Sequence, residues 1–255
     1  MVSWRLLLTR PEEDCAALAQ SLAAAGYFGH CVPLLATEAL PETPALRSRF
    51  LDFDHYDAVV VVSKTAARLG LNYLDHFWPQ PPIRQQWFAV GAATGALLEQ
   101  FGLDARWPSH GDDSEALLTL PEWDALLEIP GTRVAILRGE GGRAWLGDQL
   151  RERGAQVDYI ELYRRTFPDY PAHFLRQQLE THALNGWMVS SGEGLQRLLT
   201  LAADDWPRLA SMPLFVPSAR VAELATQAGA LDVRNCRGAS ASALLTCLAE
   251  TAPPR

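Results

Sequence analysis

The chain has 255 residues, of which 48% are hydrophobic and 20% charged, with a formal net charge of −8. That composition can fill a core and excludes a disordered chain, a collagen and a bare coiled coil, while the acidic balance argues against a general nucleic-acid binder. No run of about eighteen apolar residues is present to span a membrane, and MVSWRLLLTR lacks the features of a signal peptide, so a cytoplasmic protein is expected.

In chain order, Arg5–Leu8 reads as an apolar strand, followed by a Thr9-Arg10-Pro11 turn, an amphipathic helix ending at Gly26 and a second strand near Val32. The run Ala58–Val62 closes at Ser63, and a helix follows. FAVGAATGALLEQFG gives a strand, a Gly91 turn and a helix ending at Gly102. A short segment with Gly111 then leads into a helix opened by Asp or Ser. From Arg133 the same units return, with helix ends at Gly154 and Gly229.

The return is a repeat. Slid against itself by 127 or 128 residues, the chain places Leu18 on Leu146, Gly26 on Gly154, Ser63 on Ser191 and Gly91 on Ser218. Gly111–Thr119 falls on Gly238–Thr246 with an identical ALLT. We read an ancient duplication of βαβ units, hence an α/β fold with two similar domains, each a parallel β-sheet flanked by helices.

Join lengths divide the units between the domains. Glu128–Thr132 is a short connection within one domain. The joins Ala36–His55 and Arg164–Ala183 are long and carry Pro41, Pro44, Pro168 and Pro171, as crossings between domains would. We expect residues 1–35 plus 169–255 in a discontinuous first domain, 45–157 in an inserted second, and 36–44 with 158–168 as paired hinge linkers. Two contiguous halves are the alternative.

In parallel sheets, ligands bind beyond the carboxyl ends of the strands, where helix N-termini offer unpaired N–H groups and partial positive charge. The turn residues there are Arg10, Ser63, Lys64, Gly91, Thr94, Arg138, Gly139, Ser190, Ser191, Gly192 and Ser218. Each helix end contributes only about 0.3–1 kcal/mol toward one anionic group, so many ends suit a large polyanion. Ser and Thr are also ordinary N-caps. Lys64, the only lysine, and Arg138 are more telling, because a cation at a helix N-terminus opposes the helix dipole.

Other chemistries find little support. Arg138-Gly-Glu-Gly-Gly-Arg143 looks like a phosphate loop but lacks the pattern of a P-loop or dinucleotide fingerprint, and its plain reading is a flexible Gly-rich turn. Ser191-Gly-Glu-Gly194 is not a nucleophile elbow. The four cysteines and six histidines lack ligand spacing, so no metal site and no disulfide framework are expected. Tyr163, in IELYRR, closes an extended segment, from which a phenol would face an inter-domain cleft; its plain reading is an aromatic anchor of the hinge.

Taken together, LLLTRP, VVVVSKTA, VGAATGALLEQFGL, the RG turn after RVAIL, IELYRR, MVSSGEGL, VPSARVAELA and GASASALLTCL make the whole chain resemble the uroporphyrinogen-III synthase family. The resemblance implies two α/β domains joined by a two-stranded ladder, with the active site in the cleft between them. It implies a lyase of porphyrin biosynthesis that expels water from hydroxymethylbilane, inverts the last pyrrole ring through a spiro intermediate and closes uroporphyrinogen III. It implies no cofactor and no metal. Tyr163 matches the family's cleft tyrosine and would assist departure of the hydroxyl; the turns around Ser63, Thr94, Arg138–Gly139, Ser190–Gly192 and Ser218 match its substrate-binding turns. Ala92-Ala93 and Pro217-Ser218 stand where relatives often carry more hydroxyls. A monomer is expected, with transient hand-over from the preceding deaminase as its protein contact. A non-catalytic two-lobed binder of a polyanion is the competing reading of the same turns.

Overall fold

A computed structural model describes residues 3–82, 84–111 and 113–254; Asp112, within the repeated Gly111–Thr119 block, lies outside them. The elements begin with β1 (Arg5–Leu8), α1 (Glu12–Ala24) and β2 (Phe28–Cys31). Then come β3 (Ala36–Ala39), α2 (Pro44–Leu51), β4 (Ala58–Val61), α3 (Lys64–Phe77), β5 (Gln86–Ala89) and α4 (Ala92–Gln100). Next are β6 (Ala105–Arg106), α5 (Ser114–Leu117), α6 (Glu122–Leu127), β7 (Arg133–Gly139), α7 (Trp145–Glu152) and β8 (Gln156–Thr166). Last are α8 (Phe174–Thr181), β9 (Gly186–Met188), α9 (Gly192–Ala202), α10 (Trp206–Leu209), β10 (Leu214–Val216), α11 (Ala219–Gln227), β11 (Val233–Asn235) and α12 (Ala241–Ala249).

The chain divides into two compact units, Met1–Ala36 with Thr166–Arg255 and Thr37–Arg165. Unit 1 carries a sheet of order β11-β10-β9-β1-β2, and unit 2 one of order β3-β8-β7-β4-β5-β6. The pairs from β11 to β2 and from β8 to β6 are all parallel. At the edge of unit 2, β3 adjoins β8; the Leu40 N–H donates to the Leu162 carbonyl at 2.9 Å, and Arg164 donates to Glu38 at 3.0 Å.

The repeat is visible in the topology. Pairing β1 with β7, β2 with β8, β4 with β9, β5 with β10 and β6 with β11 turns one sheet order into the other. Each unit draws strands from both halves of the chain, and Glu128–Thr132 runs from α6 into β7 inside unit 2. Gly26, Gly102, Gly154 and Gly229 close their helices with φ of 80°, 90°, 95° and 92°, the left-handed conformation in which a missing Cβ removes the steric penalty.

Sheets covered on both faces require strands that are apolar on both sides. In β4, Val59 and Val61 pack with Phe50, Phe53 and Trp87, while Ala58 and Val60 pack with Phe88, Trp123 and Leu150. Unit 1 repeats this, with Leu7 against Trp187 and Leu198 on one side and Leu6 and Leu8 against Trp4 and Phe215 on the other. The long joins are more ordered than their prolines imply. Pro44 is the first residue of α2, where its missing N–H costs nothing, and Thr43 caps that helix by accepting from Leu46 N–H at 3.1 Å. The second join contains α8.

Candidate functional site

The helices that follow β4, β5, β9 and β10 start on the carboxyl edge of their sheets, with Ser63, Gly91, Ser191 and Ser218 as their N-caps. The Ser63 hydroxyl accepts from Ala66 N–H at 3.1 Å, Ser191 from Gly194 N–H at 3.0 Å and Ser218 from Val221 N–H at 3.4 Å. Gly91 caps α4 with backbone alone. These hydroxyls each satisfy one orphan N–H, leaving other first-turn N–H groups facing outward.

Among the described residues of unit 2, two cavities open on this edge. The first, about 420 Å³, is lined by Ser63, Arg138, Gly139, Tyr163 and the loop Glu140–Arg143. The second, about 470 Å³, is lined by Lys64, Gly91 and Thr94 together with Pro108, Ser109 and Gly111. Val62 and Ser63 belong to both, so the β4 turn is their common wall.

Tyr163 owes its position to a bulge. Arg138 of β7 pairs with Glu161 of β8, but Gly139 pairs with Tyr163 rather than Leu162. The extra residue re-aims the tyrosine, and the Tyr163 carbonyl accepts from Glu140 N–H at 2.7 Å. Its ring lies over Gly139, where an added Cβ would sit 2.7 Å from Cε2 and Cζ. Its hydroxyl meets Ser63 Oγ at 2.9 Å, and only 6% of the residue is exposed.

Arg138 lines the same cavity but is 5% exposed. Its guanidinium lies 4.6 Å from the Tyr159 ring centroid and donates to the Gly139 and Arg143 carbonyls at 3.2 and 3.4 Å. It also fills the space a side chain at Gly142 would need. The glycine-rich stretch is therefore a loop moulded around a buried cation. Arg143 at the mouth pairs with Glu115 at 2.5 Å. Arg165 and Glu140 also line the cavity, so three guanidinium groups share it with one carboxylate, a balance that favours an anionic occupant.

In unit 1, Arg10, Ser190, Ser191, Gly192 and Ser218 follow β1, β9 and β10, which are adjacent and parallel. The Thr9 hydroxyl donates to the Met188 carbonyl at 2.9 Å and joins two of these turns. The Arg10 guanidinium donates to the Ala239 carbonyl. Burial pushes Arg10 below the usual guanidinium value, opposed by the charge of Asp14. The Arg220 guanidinium reaches to 3.5 Å from where a Gly192 Cβ would be.

The structure thus gathers Ser63, Lys64, Gly91, Thr94, Arg138, Gly139 and Tyr163 around two adjoining cavities of unit 2, and sets Arg10, Ser190, Ser191, Gly192 and Ser218 along one edge of unit 1. Sequence reasoning reaches Arg143 only as the end of a Gly-rich turn and passes over Arg165, Arg220 and the 108–111 loop. Arg165 was findable, because it lies two residues beyond Tyr163 on one strand and so shares its face. Arg220 and the loop carry no local signal.

Thiol and metal chemistry have little footing. The four cysteines pack into one layer of unit 1. Burial pushes the Cys15 thiol up, aided by Cys31, and pushes Cys236 up to about 12, far from the depressed values of nucleophilic thiols. Among the described residues, no three or more His, Cys, Asp or Glu side chains are grouped to hold a metal ion, and no helix is long and apolar enough to cross a membrane.

A family model described as uroporphyrinogen-III synthase HemD matches residues 16–245. The uroporphyrinogen-III synthase of Salmonella typhimurium is 36% identical over 247 residues, covering 95% of this chain and 99% of the relative. That of Escherichia coli is 32% identical over 250 residues, with the same two shares. Among solved structures, a mutant uroporphyrinogen III synthase of the extreme thermophile Thermus thermophilus aligns with a TM-score of 0.57 at 17% identity, over 98% of this chain and 100% of that one. The Helicobacter pylori uroporphyrinogen-III synthetase aligns at 0.56 and 13% identity, over 96% and 99%. At such identities the structural likeness is one of fold.

Proposed function

The chain belongs to the uroporphyrinogen-III synthase family and is an enzyme of porphyrin biosynthesis, and from that premise we propose how its own residues carry the reaction. The substrate is hydroxymethylbilane, a flexible chain of four pyrroles bearing eight carboxylates. The helix-N-terminal turns hold those carboxylates. Ser63-Lys64, Gly91–Thr94 and Arg138-Gly139 act in unit 2, with Arg143 and Arg165 adding charge; Arg10, Ser190–Gly192 and Ser218 act in unit 1.

Tyr163 works on the leaving group. The bond from the terminal CH₂ to its hydroxyl breaks heterolytically; the electron pair leaves on oxygen, which departs as water carrying the phenol proton. Electron density from the pyrrole nitrogen supports the cationic methylene carbon left behind. That carbon closes on the substituted position of the last ring, giving the spiro intermediate from which the ring inverts. The proton released on rearomatisation returns to the phenolate. The observation that carries this reading is the phenol seated on Gly139, 2.9 Å from Ser63 and on the wall of a cavity rich in guanidinium groups.

Departure of the hydroxyl and simple closure occur without an enzyme and give the non-inverted isomer. The turns therefore contribute mainly by holding the chain in the geometry from which inversion outruns closure, and acid assistance is the smaller part. Because free hydroxymethylbilane decays this way, we also place the enzyme in the cytoplasm, taking substrate directly from the preceding deaminase. Coupled to that deaminase, the chain is expected to yield the type III isomer, and Tyr163→Phe to lower turnover about a hundredfold, at the low end of general-acid effects. Type I product alone would reject the reading, and unchanged turnover in Tyr163→Phe would remove the tyrosine from it.

A further inference from the structure

We infer that Ser63 is a positioning residue for Tyr163: its hydroxyl turns the phenol proton into the cavity and supplies the hydrogen bond that holds the oxygen once that proton has gone. The inference rests on the reading of Tyr163 given above and reassigns Ser63, whose hydroxyl is otherwise expected to meet substrate.

Two of the three hydrogen-bonding sites of the hydroxyl are taken within the protein. It has one proton and two lone pairs. One lone pair accepts Ala66 N–H at 3.1 Å as the N-cap of α3. The contact with the Tyr163 hydroxyl at 2.9 Å takes either the second lone pair or the proton. If the phenol donates to Ser63, its proton is withheld from any ligand. If Ser63 donates, the phenol proton points elsewhere, and the open side is the cavity that Tyr163 lines.

Proton transfer decides between the two. Once the phenol proton leaves with the departing water, the oxygen carries negative charge and has nothing to donate, so Ser63 is the donor in that state. The same hydroxyl is held by the first turn of a 14-residue helix, whose N-terminal partial charge favours an anion beside it. Gly139 completes the seat, since any Cβ there would displace the ring from the serine. Strand bulge, glycine and helix cap thus fix one oxygen from three sides.

The test is a double-mutant cycle read by kcat and KM for hydroxymethylbilane. Ser63→Ala is expected to lower kcat roughly tenfold, the size of one hydrogen bond to a developing charge, with KM nearly unchanged. In the Tyr163→Phe background the same substitution is expected to cost nothing further. Ser63→Thr, which keeps hydroxyl and cap, is expected to recover most of the rate. Should Ser63→Ala destabilise the fold, Ser63→Gly serves instead, because glycine is tolerated at N-caps. An equal loss in both backgrounds, or a raised KM with kcat intact, would overturn the inference while leaving Tyr163 in its role. If Tyr163→Phe alone has no effect, the underlying reading fails first.

Discussion

The Tyr163 ring occupies space that exists only because residue 139 has no side chain. An added methyl would stand 2.7 Å from Cε2 and Cζ and 3.2 Å from the hydroxyl. Gly139→Ala is therefore expected to push the ring off Ser63 and lower turnover about as much as Tyr163→Phe, with roughly 1–3 kcal/mol of lost stability from overpacking. Isomer-resolved kinetics beside chemical unfolding check it; a variant with normal kcat would show that the seat is dispensable. The turn hydroxyls are legible from their places at strand ends, whereas Tyr163, read as closing its extended segment, lies inside β8, which continues to Thr166. The bulge that brings Tyr163 opposite Gly139 is marked only by two consecutive apolar residues, Leu162 and Tyr163, both buried, and in a sheet covered on both faces such a run is ordinary. Sequence alone reads Arg138 as a cation facing a ligand. It does line the cavity, but it also anchors its own loop through two carbonyls and the Tyr159 ring.

Helix starts and strand ends hold these residues in place, and their stability is testable separately from turnover. Ser191→Ala removes the cap from Gly194 N–H and is expected to cost about 1 kcal/mol; an unchanged unfolding midpoint would show that the cap is replaced. In unit 2, Asp158 ties α2 and β7 to β8. It meets Arg49 at 2.8 Å, the Tyr56 hydroxyl at 3.0 Å and Arg133 at 3.5 Å. Burial raises its pKa, but hydrogen bonds from Arg49 and Tyr56, with the charges of Arg49 and Arg133, outweigh that and leave it below the usual carboxylate value. A lowered folded pKa stabilises the protein above the unfolded value, and that contribution is lost as pH falls through the folded one. Asp158→Asn is expected to cost about 1 kcal/mol at neutral pH, modest because the side chain is one-third exposed. In urea titrations, the gap from wild type should narrow below pH ~4; a gap independent of pH would assign the loss to packing. Apolar runs and Ser or Gly punctuation make most of these elements readable. α2 and α8 are hidden inside joins whose prolines read as linker, although Pro44 starts a helix.

For the chain as a whole, the duplication is the most informative signal. Matching blocks at one offset define the units, and join lengths indicate how they are shared. The two sheets have the same strand order once their repeats are matched, and each unit takes strands from both halves. What stays out of reach is the ligand: helix N-termini and guanidinium groups call for a polyanion, and the tetrapyrrole comes only from family resemblance. The central claim is that backbone turns impose the path to ring inversion while Tyr163 only eases loss of water. The most direct measurement is the product isomer formed by Tyr163→Phe in a single turnover, with enzyme in excess over hydroxymethylbilane so that free substrate does not close on its own. The account predicts slow formation of the type III isomer; predominant type I product from the bound substrate would contradict it.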